Sequence, residues 1–349
     1  MTIKKNLKKS ACFIKNFIFN SLNNSKRLSK LRNNRICNTI TKKQQTVKKK
    51  SIKKIKNERF LMNQKMSLVG AHVSISGGFD HAILRGEKIG ANCIQIFTKS
   101  NRQWSAKKIS EEDVAKFLSQ QKKSTIQIVV AHASYLINLG SSTTSVVQKS
   151  IDALVEELQR CDMLKIPFLI LHPGTMRNNN EQESLQEIAQ NINTVLQKAK
   201  PKHVTLLLET MAGQGSTVGN TFEQLATILK HVKHKKQIGI CVDTCHIFAS
   251  GYVFDAPATY KKLWQDFDKT IGLNKLKVFH MNDSKKNAGA RVDRHEHIGK
   301  GMINPQAFKL LMQDPKFKKI PKILETPKGA DEFADDIKNI KALQKYLKK

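Results

Sequence analysis

Acidic residues are almost missing from the first 66 positions, where Glu58 stands alone against 20 lysines and arginines, a local charge of +19. Apolar residues are sparse there too, confined to patches such as Cys12-Phe13-Ile14 and Phe17-Ile18-Phe19. Such a composition cannot offset the entropy of ordering, so residues 1–66 are expected to be a disordered basic extension. Cysteine is also scarce. Six in 349 residues make no dense disulfide framework: Cys12 and Cys37 lie in the extension, while Cys93 and Cys241 sit inside apolar runs as small core residues. Cys241 and Cys245 have no second pair to complete a zinc site, so a reducing compartment and no structural cysteine–zinc centre are expected. No apolar run reaches the roughly 18 residues of a membrane span, which excludes a membrane-spanning protein from the expectation. No internal repeat is present.

The net charge is +33, and residues 67–349 carry 41 basic against 27 acidic residues, a surplus of +14. Both parts of the chain therefore suit a polyanionic partner, with nucleic acid ahead of a membrane surface. The acid-poor, serine-containing start resembles an organellar transit peptide. Lys48-Lys49-Lys50 with Lys53, Lys54 and Lys56 reads equally as a nuclear signal or a nucleic-acid arm. A nuclear or mitochondrial destination is expected on this basis, with the organelle left open.

From Leu68 the pattern changes. Short apolar runs end in LVGAH at His72, CIQIFT at Thr98, IQIVVAH at His132, FLILH at His172, VTLLLE at Glu209, IGICVD at Asp243, LKVFH at His280 and KILE at Glu325. Each has the length of a strand buried on both faces, as in a parallel sheet. Helical patterns lie between them. Val147, Ile151, Leu154, Val155, Leu158 and Leu164 share one face, as do Leu185, Ile188, Ile192, Val195 and Leu196. Pro201 and Pro321 act as stops before their strands. Eight strands alternating with helices match a (β/α)8 TIM barrel, which needs about 250 residues, with an open doubly wound sheet as the alternative. Seven of the eight runs finish on His, Asp or Glu, residues that seldom end a buried strand. In a barrel all the C-terminal strand ends open on one face, so these groups would converge there.

The segment HMNDSKKNAGARVDRHEHIG, which starts at His280, and CVDTCH, which ends at His246, add Asp293, His295 and His246 to that supply. Imidazole and carboxylate are the side chains that hold zinc and similar divalent ions. Asp293 and His295, at i and i+2, can turn toward one ion from an extended loop. A single catalytic zinc takes three protein ligands and keeps an open position, so ten candidates suggest more than one ion. Multi-metal sites suit in-line displacement at phosphorus. Weaker signals surround this centre. Gly213 to Gly219 is a glycine-rich loop without the P-loop lysine, read as a tight βα turn whose amides are able to meet a phosphate. Thr98 to Trp104 combines cations and an aromatic, and His132 to Leu139 places Tyr135 and Leu136 just past a strand end.

Taken together, HASYLINLG from His132, LHPG around His172, ETMAGQGS from Glu209, CVDTCH, HMNDSKKNAGARVDRHEHIGKG and ILET ending at Thr326 resemble the endonuclease IV family of apurinic/apyrimidinic endonucleases. The resemblance runs from about Leu68 to the C-terminus, with the motifs in order, and implies a TIM-barrel domain over 67–349. It also implies a trinuclear zinc site that nicks duplex DNA 5′ to an abasic site, leaving a 3′-hydroxyl. Trimming of 3′ blocked ends stays open. By position, the resemblance gives His132, His172 and Glu209 to one zinc, and Glu209, Asp243, His280 and Glu325 to a second, with Glu209 bridging. His246, Asp293 and His295 would take the third. Glu325 is the implied residue for orienting or deprotonating water. Arg102, Tyr135 and Leu136 match loop residues that enter the DNA, and His72 lies near the site without a metal. A monomer suffices for all of this. The competing readings are a metal-dependent sugar isomerase on the same barrel and a non-catalytic nucleic-acid binder with structural metals.

Overall fold

Each apolar run that stops at a polar residue is a strand. The computed structural model describes residues 67–177, 180–331 and 333–347. The expected disorder of 1–66 lies outside them. The order is β1 (Val69–His72), α1 (Phe79–Lys88), β2 (Cys93–Phe97), α2 (Glu111–Lys123), β3 (Ile128–His132), α3 (Thr144–Met163), β4 (Phe168–Leu171), α4 (Glu181–Ala199), β5 (Thr205–Glu209), α5 (Phe222–His231) and β6 (Ile238–Asp243). There follow α6 (Thr244–Ala249), α7 (Pro257–Thr270), β7 (Leu276–His280), the short β8 (Asp283–Ser284) and β9 (His295–Glu296), α8 (Pro305–Gln313), β10 (Lys322–Leu324) and α9 (Ala334–Lys345).

Eight parallel strands close into a barrel in the order β1-β10-β7-β6-β5-β4-β3-β2. The closing contact is β1 with β10, where Gly70 faces Ile323, and this excludes the open-sheet alternative. β8 and β9 stand apart as a two-residue antiparallel ladder. The helices form because their apolar residues recur at helical spacing and polar residues cap them. Ser110 accepts from Asp113 N at the start of α2, Asn180 from Glu183 N at α4, and Thr221 from Gln224 N at α5. α3 buries Ile151, Leu154 and Leu158, the face expected from the periodicity. No described helix is long and apolar enough to cross a membrane.

The core has two parts, as a barrel requires. The larger lies between strands and helices. The smaller fills the barrel with Cys93, Val130, Ile170, Leu207, Cys241, Val278 and Ile323, one from each of seven strands. β1 brings Gly70 to the same level, paired with Cys93 and Ile323.

A strand repeats its facing every second residue. Two positions beyond this apolar layer the eight strands therefore present His72, Gln95, His132, His172, Glu209, Asp243, His280 and Glu325. The strand assignment differs from the sequence expectation at three ends. β2 stops at Phe97 rather than Thr98, and His172 and Glu325 are the first residues past β4 and β10.

Gly70 is needed for lack of space. A Cβ there would collide with the Cys93 carbonyl oxygen. Gly70→Ala is expected to destabilise the fold by about 3 kcal/mol, because backbone rather than a flexible side chain must give way. Urea unfolding should show a lower midpoint at similar slope, and an unchanged midpoint would mean that β1 shifts freely.

Candidate metal centre at the barrel mouth

The polar layer is largely buried, and its imidazoles and carboxylates turn acceptor atoms toward one another. His132, Glu209, Asp243, His246 and His280 are all at most 2% exposed. A ring nitrogen beside a carbonyl oxygen must donate, which leaves the other nitrogen of a neutral ring without a proton. His132 Nδ1 donates to Ala133 O at 2.7 Å, so its bare Nε2 faces Glu209 Oε2 at 3.2 Å. His246 Nδ1 donates to Thr210 O at 2.8 Å, and His295 Nδ1 to Glu325 O at 3.1 Å. Their two Nε2 atoms then confront each other at 3.4 Å. Asp293 closes that trio, with its oxygens 3.1 Å from His246 Nε2 and 3.3 Å from His295 Nε2. His280 Nε2 donates to Gln95 Oε1 at 2.8 Å, and its Nδ1 points at Glu209 Oε1 at 2.9 Å and Glu325 Oε2 at 3.0 Å. His172 Nε2 lies 3.3 Å from Glu209 Oε2.

Opposed acceptors at these distances repel one another unless a cation or added protons lie between them. Three groups have ligand atoms close enough to share an ion: His132, His172 and Glu209; Asp243, His246 and His295; and Glu209, Asp243, His280 and Glu325. Asp293 joins His295 in a fourth group with Cys245, whose thiol donates to Arg294 O at 3.7 Å and is pushed up to about 12 by burial. The nitrogen and oxygen groups are the ones that contain the ligands expected from the sequence. This donor set suits zinc-like divalent ions. Glu209 turns one oxygen to His132 and His172 and the other to His280, the geometry of a bridge. Burial acts to raise its pKa, but positive charge on His280 and hydrogen bonds from His132, His172 and His246 hold it well below the usual carboxylate range. His132, His246 and His280 are in turn pushed up, so without a cation protons fill the gaps between the rings and the carboxylates.

All nine expected ligands are therefore brought together. His72 belongs to the ring but to no metal group. Its Nδ1 lies 3.0 Å from Gln95 Nε2, and burial lowers its pKa to about 3, so the ring is neutral. His297 accepts from Asn339 and lies in none of the groups. In the glycine-rich loop, Gln214 Oε1 accepts from Asp293 N at 3.0 Å and so anchors an expected ligand.

Two positioning residues escaped the sequence reading. Gln95 accepts from His280 and donates to Glu325 Oε1 at 2.5 Å. Asn282 donates to Asp243 Oδ2 at 2.6 Å and accepts from Glu325 N at 2.8 Å. The signal for Gln95 was its register, two beyond Cys93, a lone polar residue inside an apolar strand.

Two loops rise beside the centre. Tyr135 is 57% exposed, with its ring 5.4 Å from that of His132 and 5.6 Å from that of His172. Leu136 is half-buried next to it, and Arg102 is exposed on the turn after β2. Ser134 Oγ donates to Asn101 O at 2.8 Å, tying the two loops together.

Residues 84–349 match the family model described as a xylose isomerase-like TIM barrel. The chain is 44% identical over 283 residues to the probable endonuclease 4 of Chloroflexus aggregans, covering 81% of this chain and 99% of that protein. The crystal structure of endonuclease IV from Thermus thermophilus is 31% identical, with a TM-score of 0.70, over 79% of this chain and 98% of that one. A D-tagatose 3-epimerase-like protein superimposes with a TM-score of 0.61 at 18% identity, covering 80% of this chain and 97% of that one, a likeness of fold alone.

These relatives correct one expectation. The curated ones include proteins of Chloroflexus, Geotalea and Geobacter, bacteria without nucleus or mitochondrion, so the organellar destination read from the basic N-terminus does not stand. Lysine-rich composition alone could not separate an address signal from a charge surplus.

Because the rings hold bare nitrogens only while deprotonated, cations and protons compete for the same space. Adding Zn²⁺ to chelator-stripped protein at neutral pH should release protons into weakly buffered solution. It should also stabilise the fold, by about 4 kcal/mol at a thousandfold excess over Kd. If neither proton release nor a higher melting temperature were seen, the lone-pair cluster would not be a cation site.

Proposed function

Because the chain belongs to the endonuclease IV (endonuclease 4) family and is a nuclease, a hydrolase, we propose that it holds three zinc ions and cuts duplex DNA 5′ to abasic sites. The observation that carries this reading is the convergence of imidazole nitrogens and carboxylates at one barrel mouth, with Glu209 shared between two groups. His132, His172 and Glu209 would hold one ion. Glu209, Asp243, His280 and Glu325 would hold a second, and His246, Asp293 and His295 a third. When bound, the ions supply Lewis acidity toward a phosphodiester and acidify water.

The remaining work falls to side chains. Glu325 is 13% exposed at the mouth, with Oε1 fixed by Gln95 and its backbone by Asn282, so one carboxylate edge is aimed inward. It orients water and accepts its proton as oxygen attacks phosphorus. The bond to the 3′ oxygen breaks, leaving a 3′-hydroxyl on one strand and the phosphate on the abasic sugar. Glu209, wholly buried between two ligand groups, sets their spacing. Tyr135 and Leu136 are large side chains beside the centre, suited to filling the gap left when an abasic nucleotide leaves the stack, and Arg102 supplies a cation to the same strand region. Extrusion costs least where the base is already absent, which gives selectivity for damage. The surplus of +14 on residues 67–349 attracts phosphates, and residues 1–66, at +19, serve as an added basic arm for the same polyanion. One chain supplies all nine ligands, so the working unit is a monomer. Trimming of 3′ blocked ends uses the same attack at phosphorus.

A duplex with a single tetrahydrofuran abasic analogue should be nicked on its 5′ side, and chelator should abolish the cut. An intact strand in the presence of metal would refute the reading. Binding without scission would favour a non-catalytic DNA binder. Glu325→Gln should keep DNA binding and lower kcat about 100-fold or more. Near-normal turnover would remove Glu325 from the chemistry. Tyr135→Ala combined with Leu136→Ala should cut the preference for abasic over intact duplex about tenfold. An unchanged preference would show that these side chains do not enter the helix.

A further inference from the structure

Three charged side chains lie buried on the outer side of the barrel, between α3 and the loops after β2 and β3. Lys99 is 4% exposed, Glu157 1% and Arg160 7%. Lys99 Nζ donates to the carbonyls of Gln103 (3.3 Å) and Trp104 (2.6 Å), so the turn that carries Arg102 wraps around this ammonium. Arg160 enters the same loop from α3, with Nε and Nη2 donating to Thr98 O at 3.1 and 2.5 Å and Nη1 to Lys107 O at 2.8 Å. Glu157 Oε1 lies 3.6 Å from Lys99 Nζ and accepts from Ser134 N at 3.1 Å. Ser134 completes the circuit: its Oγ donates to Asn101 O at 2.8 Å and accepts from Leu136 N at 3.3 Å.

Burying three charges in the shell of a barrel is costly, and apolar residues would serve a purely structural purpose at least as well. None of the hydrogen bonds given above for this network ends on a member of the metal groups. Its hydrogen bonds end on backbone atoms of the two loops that carry Arg102, Tyr135 and Leu136, and the single carboxylate reaches both. We propose that Glu157, with Lys99 and Ser134, is a positioning device that locks the two DNA-probing loops into one rigid reader, so that damage recognition depends on residues that never meet DNA. This rests on the reading of Arg102, Tyr135 and Leu136 as the residues that enter the duplex. A reader held rigid before contact loses less conformational freedom on binding than two independent loops, which favours the damaged site over intact helix.

The test uses the full-length, zinc-loaded protein and its Glu157→Gln and Ser134→Ala variants. Anisotropy gives Kd for labelled duplexes with and without one tetrahydrofuran site, kinetics gives kcat and KM on the former, and metal content is measured in parallel. Each variant should raise KM for the abasic duplex and lower the ratio of Kd for intact duplex to Kd for abasic duplex, about tenfold for Glu157→Gln and less for Ser134→Ala. Both should keep kcat within about twofold and retain the wild-type metal content, a split that general loosening of the barrel would not produce. If Glu157→Gln does not fold, Ser134→Ala alone decides. Wild-type KM and Kd ratio in the folded variants would overturn the inference while the wild type still cuts. A loss confined to kcat, with reduced metal content, would overturn it as well. If the wild type itself leaves the abasic strand intact, the functional reading falls and takes this inference with it.

Discussion

Like-natured electron pairs forced together in a water-poor space are the constraint behind the whole structure. His246 and His295 turn ring nitrogens toward each other across 3.4 Å, and Glu209 sits fully buried among four imidazoles. Neutral rings and carboxylates are not favourable there on their own, because desolvation and mutual repulsion oppose it, so the cluster must hold either cations or extra protons. The barrel tolerates it by rigidity. One pleat below the polar ring lies a packed apolar ring from Cys93 to Ile323, and parallel strands on every side prevent the polar ends from splaying.

The outward-facing atoms decide what the inward-facing ones can do. Ala133, Thr210 and Glu325 each offer a backbone carbonyl to the far nitrogen of a ring, and Gln95 offers its amide oxygen to His280. These partners fix the tautomer and aim the lone pair, a task as important to metal holding as the ligand itself. Loop ligands need more support than strand ligands. Asp283 supplies it by accepting from the backbone N–H groups of Ser284, Gly299, Gly301 and Ile303, which pins both ends of the excursion that carries Asp293 and His295. The β8–β9 ladder adds a second clamp at His295.

On the proposed function, chemistry and recognition are built on different supports. The ring of imidazoles and carboxylates is part of the barrel interior, set by strand register. The loops that carry Arg102, Tyr135 and Leu136 are held from outside by α3 through buried ions, with Ser134 as the contact between them. Such a division lets loops change without disturbing the ring beneath them.

The sequence by itself determined the strands, their order and most of the ring, since apolar runs that repeatedly end in His, Asp or Glu make sense only where those ends converge. His132, Asp243 and His280 were legible because each closes its strand. Gln95 was not, because an amide inside an apolar run has no chemical signature until the pleat shows that it faces the centre. Asn282 was hidden for a similar reason: its two side-chain hydrogen bonds are with residues 39 and 43 positions away. The tautomers and the reach of Glu157 to two loops were decided only by tertiary structure. Each depends on which atom of a side chain meets which atom of a distant backbone, and a linear order of residues does not hold that information.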